Sequence, residues 1–189
     1  MKLRLPKMPL LEIRQLAPQV CLGLWRIEEG GDGTHRQRER QAVEQLLLVM
    51  TGDDSLIIEH EPSGKPTLHL RPSTLSISHT KGYAALLLSE CCQLGVDIEY
   101  RSDRVERIAS RFIHPDEEVN TTDEKLLVWS AKETVYKLFS EDNLMFFDMR
   151  TQAIEPGCLQ MKNMKRDIVV EVRYEFTDDY VLTYAFLPA

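Results

Sequence analysis

The chain has 189 residues, 43% of them hydrophobic and 28% charged, which is typical of a globular protein with one large domain or two small halves. Its formal net charge of −7 disfavours nucleic-acid binding, because that function requires a basic surface. The N-terminal sequence has no continuous apolar segment, and the longest apolar run, YAALLL, is too short to cross a bilayer, so we expect neither a signal peptide nor a membrane partner. The cysteines are Cys21, Cys91, Cys92 and Cys158; their spacing is not that of a zinc site, and an adjacent pair rarely forms a disulfide with itself. We therefore expect reduced thiols and a cytoplasmic location.

The first third of the sequence predicts a strand followed by a capped helix. Residues 20–27, VCLGLWRI, have the apolar character of a strand, and the glycines of EEGGDG indicate a loop. Thr34 and Gln37 have the spacing of a capping box, which predicts a helix over about residues 35–50. Gly52 would end that helix, because glycine readily adopts the left-handed conformation of a helix C-cap.

The middle of the sequence predicts short strands. LIIEHE has the pattern of a strand, and PSGKP that of a turn. LSISHTKGYAALLLS predicts two strands joined by a tight turn at Lys81 and Gly82. LGVDIEY, residues 94–100, predicts the strand that follows.

The remaining residues predict two helices and then strands. A helix over about residues 103–112 would be capped by Ser102 or Asp103. Thr121 and Glu124 form a capping box for the longest helical pattern, TTDEKLLVWSAKETVYKLF. IVVEVRYEF and YVLTYAF flank TDD and predict a hairpin. Helices mixed with antiparallel strands indicate an α+β fold.

Four charged residues have the spacing of a metal and phosphate site. Asp97 and Glu99 share one face of their strand, and Glu133 and Lys137 share one face of the long helix. Taken alone, these patterns also fit a half-exposed strand and a surface ion pair of about 0.2–0.5 kcal/mol. If Glu133 meets the two strand carboxylates, the three form a hard-oxygen site suited to Mg²⁺. Lys137 would then lie within reach of a phosphate.

Two earlier segments have both a structural and a functional interpretation. SISH, which contains Ser78 and His79, ends a strand at a tight turn, where serine and histidine are common. Arg36 and Arg40 lie in the first turns of a helix, where the helix dipole disfavours cations. Exposed arginines tolerate that cost, but an anion bound at this helix end would also explain them.

Four segments together resemble the 4′-phosphopantetheinyl transferase superfamily. They occur in the order typical of the family, and the last two correspond to its signature pair, a Gly-x-Asp-x-Glu strand and a Trp-Ser-x-Lys-Glu-x-x-x-Lys helix. The segments are GKP at 64–66, SISH at 76–79, GVDIE at 95–99 and WSAKETVYK at 129–137. The resemblance covers about residues 60–140. One departure is the segment LFSEDN, which lacks the glycine that family members often have after the final lysine.

The resemblance implies an α+β fold of two similar, pseudo-twofold-related halves with antiparallel sheets and packed helices. The length matches the larger, monomeric type of the family. Residues 1–93 would form the half that binds the 3′-phosphate and adenine of coenzyme A, and residues 94–189 the metal-binding and catalytic half. The active site would lie in the cleft between the halves.

The resemblance also implies the chemistry and its residues. The family transfers 4′-phosphopantetheine from coenzyme A to a serine of a carrier protein. Asp97, Glu99 and Glu133 would bind Mg²⁺ or Mn²⁺, and Glu133, Lys137 and Asp97 would be catalytic, with Glu133 as the base. The residues implied to bind coenzyme A are Arg36, Arg40, Gly64, Lys65, Pro66, Ser78, His79, Lys132 and Lys137.

The expected protein partner is an acyl or peptidyl carrier protein. Such carriers are typically acidic, so docking requires a local basic surface. Arg104, Arg107 and Arg111 have the spacing of one helical stripe and are proposed for this role, although a solvated helix face explains them equally well. The alternative function is a non-catalytic coenzyme A or carrier-protein binding module of the same fold. A metal-dependent nuclease is disfavoured by the acidic net charge.

Overall fold

The structure, a computed structural model, describes residues 9–28, 33–69 and 73–188, which form eleven β-strands and three α-helices. The helices are α1 (His35–Thr51), α2 (Ala109–Phe112) and α3 (Thr122–Leu138). The strands are β1 (Leu10–Ala17), β2 (Val20–Arg26), β3 (Ile58–His60), β4 (Pro66–Leu68), β5 (Thr74–Thr80), β6 (Tyr83–Ser89), β7 (Cys92–Tyr100), β8 (Met149–Glu155), β9 (Cys158–Asn163), β10 (Ile168–Phe176) and β11 (Tyr180–Pro188). No helix among the described residues is long and apolar enough to span a bilayer.

Strands β1 to β11 form antiparallel sheets, which confirms the predicted α+β class. One sheet has the order β1-β2-β6-β5, and a second has the order β7-β11-β10-β9-β8. Strands β3 and β4 form a separate pair. The first sheet is accompanied by α1 and the second by α3. That the two halves are related by a pseudo-twofold axis, with a division between residues 93 and 94, stays a prediction.

The two long helices begin where the sequence predicts. Gln37 N donates to Thr34 Oγ1 and Thr34 N donates to Gln37 Oε1, so the capping box of α1 is complete. Thr121 and Glu124 make the same reciprocal bonds at the start of α3. Gly52 ends α1 with φ 67°, in the left-handed region that glycine adopts without a steric penalty.

Strands β5 and β7, which belong to different sheets, lie side by side and are joined by the hydroxyl groups of β5. Thr74 Oγ1 donates to the carbonyl of Cys92 at 2.5 Å, and Val96 N donates to Ser76 Oγ at 3.0 Å. Farther along the strands, Ser78 Oγ donates to Asp97 Oδ1 at 2.8 Å. The residue numbers of the bonded partners increase together along β5 and β7, so the two strands run parallel. This contact brings SISH beside GVDIE.

A shared hydrophobic core lies beneath the contact between β5 and β7. It combines side chains of the first sheet, such as Leu22 and Leu87, with side chains of the second, such as Val96 and Leu182. A separate core lies between α3 and the second sheet and includes Val135 and other buried side chains. The two sheets therefore share buried apolar surface, and the position of one constrains the position of the other.

Two features differ from the sequence prediction. Strand β1 was not predicted, because the apolar Leu11 and Ile13 are exposed whereas the charged Glu12 and Arg14 are only half exposed. The predicted helix over residues 103–112 is wrong as a single element. A 3₁₀ helix over Asp103–Arg107 is separated from the four residues of α2 by Ile108.

Candidate active site

A cleft of about 450 Å³ gathers most of the residues implied to contact coenzyme A or its phosphates. Its walls come from the turn between β3 and β4, from β5, from the start of β7 and from the end of α3. Six of the predicted residues line it: Gly64, Lys65, Pro66, His79, Glu133 and Lys137. The fold therefore brings three of the four sequence segments to one surface, and β7 supplies the fourth directly beside it.

The carboxylate of Asp97 lies next to the cleft and is held by three donors. Its Oδ1 atom accepts from Ser78 Oγ and from Lys137 Nζ, both at 2.8 Å. Its Oδ2 atom accepts from Ser130 Oγ at 2.9 Å. Asp97 is 4% exposed, and Lys137, which lines the cleft, connects it to that surface. Charge-assisted bonds at both oxygens fix the orientation of this carboxylate.

Gly95 explains why the motif that contains Asp97 begins with glycine. A Cβ atom at this position would lie 2.1 Å from the carbonyl oxygen of Thr134 and 3.2 Å from Cβ of Leu138. Only glycine therefore lets the backbone of β7 pack directly against α3. This close approach is what brings Lys137 within bonding distance of Asp97.

Glu99 is a partly buried acid with an unusual pKa. Burial, followed by the nearby charge of Asp97, raises the pKa of Glu99 to about 7. Trp129 Nε1 donates to Glu99 Oε1 at 2.7 Å and partly offsets this effect. The tryptophan of the helix motif therefore orients the second carboxylate of the strand motif.

Glu133 has a raised pKa for the same reasons. Burial is the main cause and the charge of Asp97 adds to it, whereas Lys137 acts in the opposite direction. The effect of Asp97 on the pKa of Glu133 links the helix carboxylate to the strand motif. A raised pKa also makes Glu133 a stronger base than an ordinary glutamate.

The three carboxylates fit a hard divalent cation by their chemistry, although they do not form an assembled coordination sphere. Among the described residues, no group of three or more His, Cys, Asp or Glu side chains is arranged to hold a metal ion. The raised pKa values of Glu99 and Glu133 nevertheless show like-charge repulsion and burial that a cation would relieve. Metal binding by Asp97, Glu99 and Glu133 stays a prediction.

Ser78 and Lys132 do not lie where a coenzyme A ligand would contact them. Ser78 is buried and absent from the cleft lining, because its hydroxyl donates to Asp97. Lys132 is fully buried on the opposite side of α3, where its Nζ atom contacts Glu117 Oε2 at 2.8 Å and donates to the carbonyl of Phe112. Neither side chain lines the cleft, and the predicted contacts of both residues with coenzyme A stay predictions.

His79 reaches the cleft, but the two predicted arginines do not line it. Arg36 and Arg40 lie on the exposed face of α1, and Arg40 Nε is 3.4 Å from Glu44 Oε1. The side chain that meets His79 is the buried Glu39, whose Oε1 atom lies 3.0 Å from His79 Nδ1. Glu39 could not be identified from the sequence, since a single glutamate among alternating charges gives no signal of burial.

The three arginines proposed for carrier docking are exposed but do not form one helical stripe. Arg104 and Arg107 belong to the 3₁₀ helix, whereas Arg111 belongs to α2. Because the two elements have different periodicity, the predicted i, i+3, i+7 alignment on an α-helix is wrong. The three arginines are instead distributed over two short helical segments.

In the loop after Lys137, an asparagine takes the backbone conformation that a glycine would usually provide. Asn143 takes the left-handed conformation, with φ 48°, that glycine would otherwise supply, and it lines the cleft. The preceding Asp142 is held by both side-chain oxygens to Arg166, with distances of 2.7 Å. This loop is therefore a defined wall of the cleft.

Comparison with known proteins gives one positive finding. The family model described as the 4'-phosphopantetheinyl transferase superfamily matches residues 93–185, a range that includes Asp97, Glu99, Glu133 and Lys137. No curated protein matches the chain significantly. The chain therefore carries, over residues 93–185, a domain of the 4′-phosphopantetheinyl transferase superfamily.

Proposed function

We propose that this protein transfers 4′-phosphopantetheine from coenzyme A to a serine hydroxyl of an acyl or peptidyl carrier protein, with Mg²⁺ or Mn²⁺ as cofactor. The observation that carries the proposal is the cleft itself. It joins the turn at 64–66 and His79, which precede the family match, with Glu133 and Lys137, which lie inside it. Residues from both parts of the chain thus face one volume of about 450 Å³, a size typical of small-molecule sites.

Coenzyme A binding would divide between the two parts of the chain. Residues 1–93 would contribute the nucleotide side, with Gly64, Lys65 and Pro66 near the adenine and His79 at the 3′-phosphate. Residues 94–189 would contribute the side of the diphosphate, where Lys137 supplies a positive charge. The support is that all five named residues line the cleft.

Asp97, Glu99 and Glu133 would hold the cation, which when bound neutralises negative charge on the diphosphate as its bond breaks. Asp97 is the best oriented of the three, since three donors fix its carboxylate. Lys137 contributes a fixed positive charge beside the same phosphate group. Both effects favour a transition state in which negative charge moves onto the departing nucleotide.

Glu133 would accept the proton of the carrier serine. The serine oxygen forms a bond to the phosphorus of the phosphopantetheine group, while the bond from that phosphorus to the bridging oxygen breaks. The products are the holo-carrier and adenosine 3′,5′-bisphosphate. The raised pKa of Glu133 supports this role, because a more basic carboxylate accepts the proton more readily.

Carrier docking would use the exposed side chains of Arg104, Arg107 and Arg111. An acidic carrier surface would be attracted to these arginines despite the net charge of −7. We propose that the protein acts as a cytoplasmic monomer in this reaction. The carrier could belong to fatty-acid, polyketide or peptide synthesis, and transfer to apo-carriers from each pathway would distinguish these.

The experiment mixes the protein with coenzyme A, Mg²⁺ and an apo-carrier, and measures the intact mass of the carrier. We expect the mass to increase by one phosphopantetheine group, and Glu133→Gln to abolish the increase. Glu118→Gln, at an exposed position outside the cleft, is the matched control and should retain transfer. In the same assay, Arg107→Glu should raise KM for the carrier more than KM for coenzyme A.

A different result would favour the binding module. If wild-type protein binds coenzyme A by calorimetry but modifies none of several apo-carriers from the three pathways, the catalytic proposal is overturned. If Arg107→Glu leaves KM for the carrier unchanged, the docking surface lies elsewhere.

A further inference from the structure

Thr183 lies directly beside Asp97 without contacting the cleft. The two residues are cross-strand partners in the register of β11 and β7, so their side chains leave the same face of the sheet. Ser130 of α3 meets both of them. Its Oγ atom donates to Asp97 Oδ2 at 2.9 Å and lies 2.8 Å from Thr183 Oγ1.

The hydroxyl groups of Ser130, Thr183 and Thr134 form a hydrogen-bonded cluster behind Asp97. A carboxylate can only accept, so the one hydroxyl proton of Ser130 is used by Asp97. Thr183 Oγ1 lies 2.8 Å from Ser130 Oγ and donates to the carbonyl of Ser130 at 3.0 Å, so its hydroxyl group is held against both the side chain and the backbone of Ser130. Thr134 Oγ1 lies 2.7 Å from Thr183 Oγ1 and donates to the carbonyl of Thr183 at 3.2 Å.

This hydroxyl cluster of Thr134, Thr183 and Ser130 reaches Asp97 through Ser130, and it is sealed from solvent. Ser130, Thr134 and Thr183 are all 0% exposed. Water therefore has no access to replace a lost hydroxyl, and the remaining hydrogen bonds are stronger in this low-dielectric environment than they would be in water. Buried hydroxyls arranged in this way cost free energy unless every member is satisfied, which makes the arrangement specific.

We propose that Thr183 is a positioning residue for Asp97, acting through Ser130. The contact with Thr183 fixes the rotamer of Ser130, and Ser130 fixes Oδ2 of the carboxylate that would hold the cation. The same contacts set the register of α3 against β7 and β11, and α3 carries Glu133 and Lys137. This inference rests on the proposed function, because it assumes that Asp97 holds the metal ion.

The experiment measures metal affinity directly. Protein with coenzyme A is titrated with Mn²⁺, and the free ion is followed by electron paramagnetic resonance. Thr183→Val keeps the shape of the side chain and removes the hydroxyl, and we expect the dissociation constant for Mn²⁺ to rise about tenfold, which is typical when a residue supporting a metal ligand is removed. Thr183→Ser keeps the hydroxyl and should restore near wild-type affinity.

Thr134→Val is the structural control. Thr134 is equally buried and belongs to the same hydroxyl cluster, but among the described residues its side chain makes hydrogen bonds with Thr183 and none with Ser130. We expect a loss of thermal stability similar to that of Thr183→Val, with Mn²⁺ affinity close to wild type. If both variants weaken Mn²⁺ binding by the same factor, or if neither does, the positioning role is overturned.

Two further outcomes separate this inference from the proposed function. If wild-type protein with coenzyme A binds no Mn²⁺, the metal-dependent function is overturned and the role of Thr183 with it. If wild type binds Mn²⁺ and Thr183→Val binds it equally well, only the role of Thr183 is overturned. Should Thr183→Val fail to fold, Thr183→Ala removes the same hydroxyl and repeats the test.

Discussion

Two lysines of α3 form ion pairs of the same length in different environments. Lys132 Nζ lies 2.8 Å from Glu117 Oε2, and Lys137 Nζ lies 2.8 Å from Asp97 Oδ1. The Lys132 side chain is 0% exposed and that of Glu117 2%, whereas the Lys137 side chain is 26% exposed. Five residues correspond to a rotation of about 140° around the helix, so the two lysines face opposite sides of α3.

The helix motif at residues 129–137 therefore supplies two lysines with different roles. Lys132 holds α3 in place, and Lys137 provides a charge to the cleft. Glu117 accepts from Lys132 and His114 through Oε2 and from Thr151 through Oε1, so this pair joins α3 to the loop before it and to β8. Lys137 instead reaches both Asp97 and the cleft. We therefore expect the two pairs to differ sharply when they are broken.

Breaking the sealed pair should have the largest effect. Lys132→Met leaves the Glu117 carboxylate buried without a cation, and removing one partner of a buried pair costs about 3–5 kcal/mol of unfolding free energy. Urea denaturation measures this loss. Lys132→Met combined with Glu117→Gln should recover part of it, because the neutral amide removes the uncompensated charge while its oxygen still accepts from the backbone. A double variant less stable than the single one would contradict this account.

Breaking the pair in the cleft should affect catalysis more than stability. Lys137→Met removes a fixed positive charge beside the phosphate, and losses of this kind lower kcat by about 10²–10³. The unfolding free energy should fall less than in Lys132→Met, since Asp97 keeps the hydroxyl donors Ser78 and Ser130. Carrier modification and urea denaturation, measured on both variants, test the contrast. Equal losses of unfolding free energy in Lys132→Met and Lys137→Met would contradict the proposed difference between the two ion pairs.

Replacing Glu99 should have a smaller effect that depends on pH. The pKa of Glu99 is raised from 4.5 to about 7 in the folded protein, so stability declines as the pH rises through this interval and the folded state is forced to ionise. In chelator at about pH 8, Glu99→Gln should therefore raise the unfolding free energy by up to about 3 kcal/mol. Near pH 5 the gain should shrink to under about 1 kcal/mol. The same gain at both pH values would contradict the raised pKa.

The sequence predicted the elements whose signals are local. Capping boxes at Thr34 and Thr121 and the glycine at position 52 placed the ends of the long helices, and alternation placed Asp97 and Glu99 on one face of a strand. Strand β1 escaped detection because Arg14, which the strand directs inward, is satisfied by Glu175, 161 residues farther along the chain. No pattern within β1 reveals such a partner.

The same limit applies to the candidate site. The motif residues Glu133 and Lys137 could be assigned to the cleft from their spacing and the resemblance, but the side of α3 taken by Lys132 depends on the distant Glu117. Thr183 gave no signal, because a threonine in a strand is ordinary and its partners come from α3. Burial and cross-chain hydrogen bonding decide these roles, and neither is visible in a short stretch of sequence.

The parallel contact between β5 and β7 also bears on solubility. Each of these strands is the outer member of its own sheet, and an outer strand left bare can recruit strands of other molecules. Here the edge strands β5 and β7 cover each other, and threonine and serine side chains of β5 form the hydrogen bonds between them. Expressing residues 9–90 or 91–188 alone would expose an edge strand in either fragment. We therefore expect each fragment to aggregate at concentrations at which the intact chain does not.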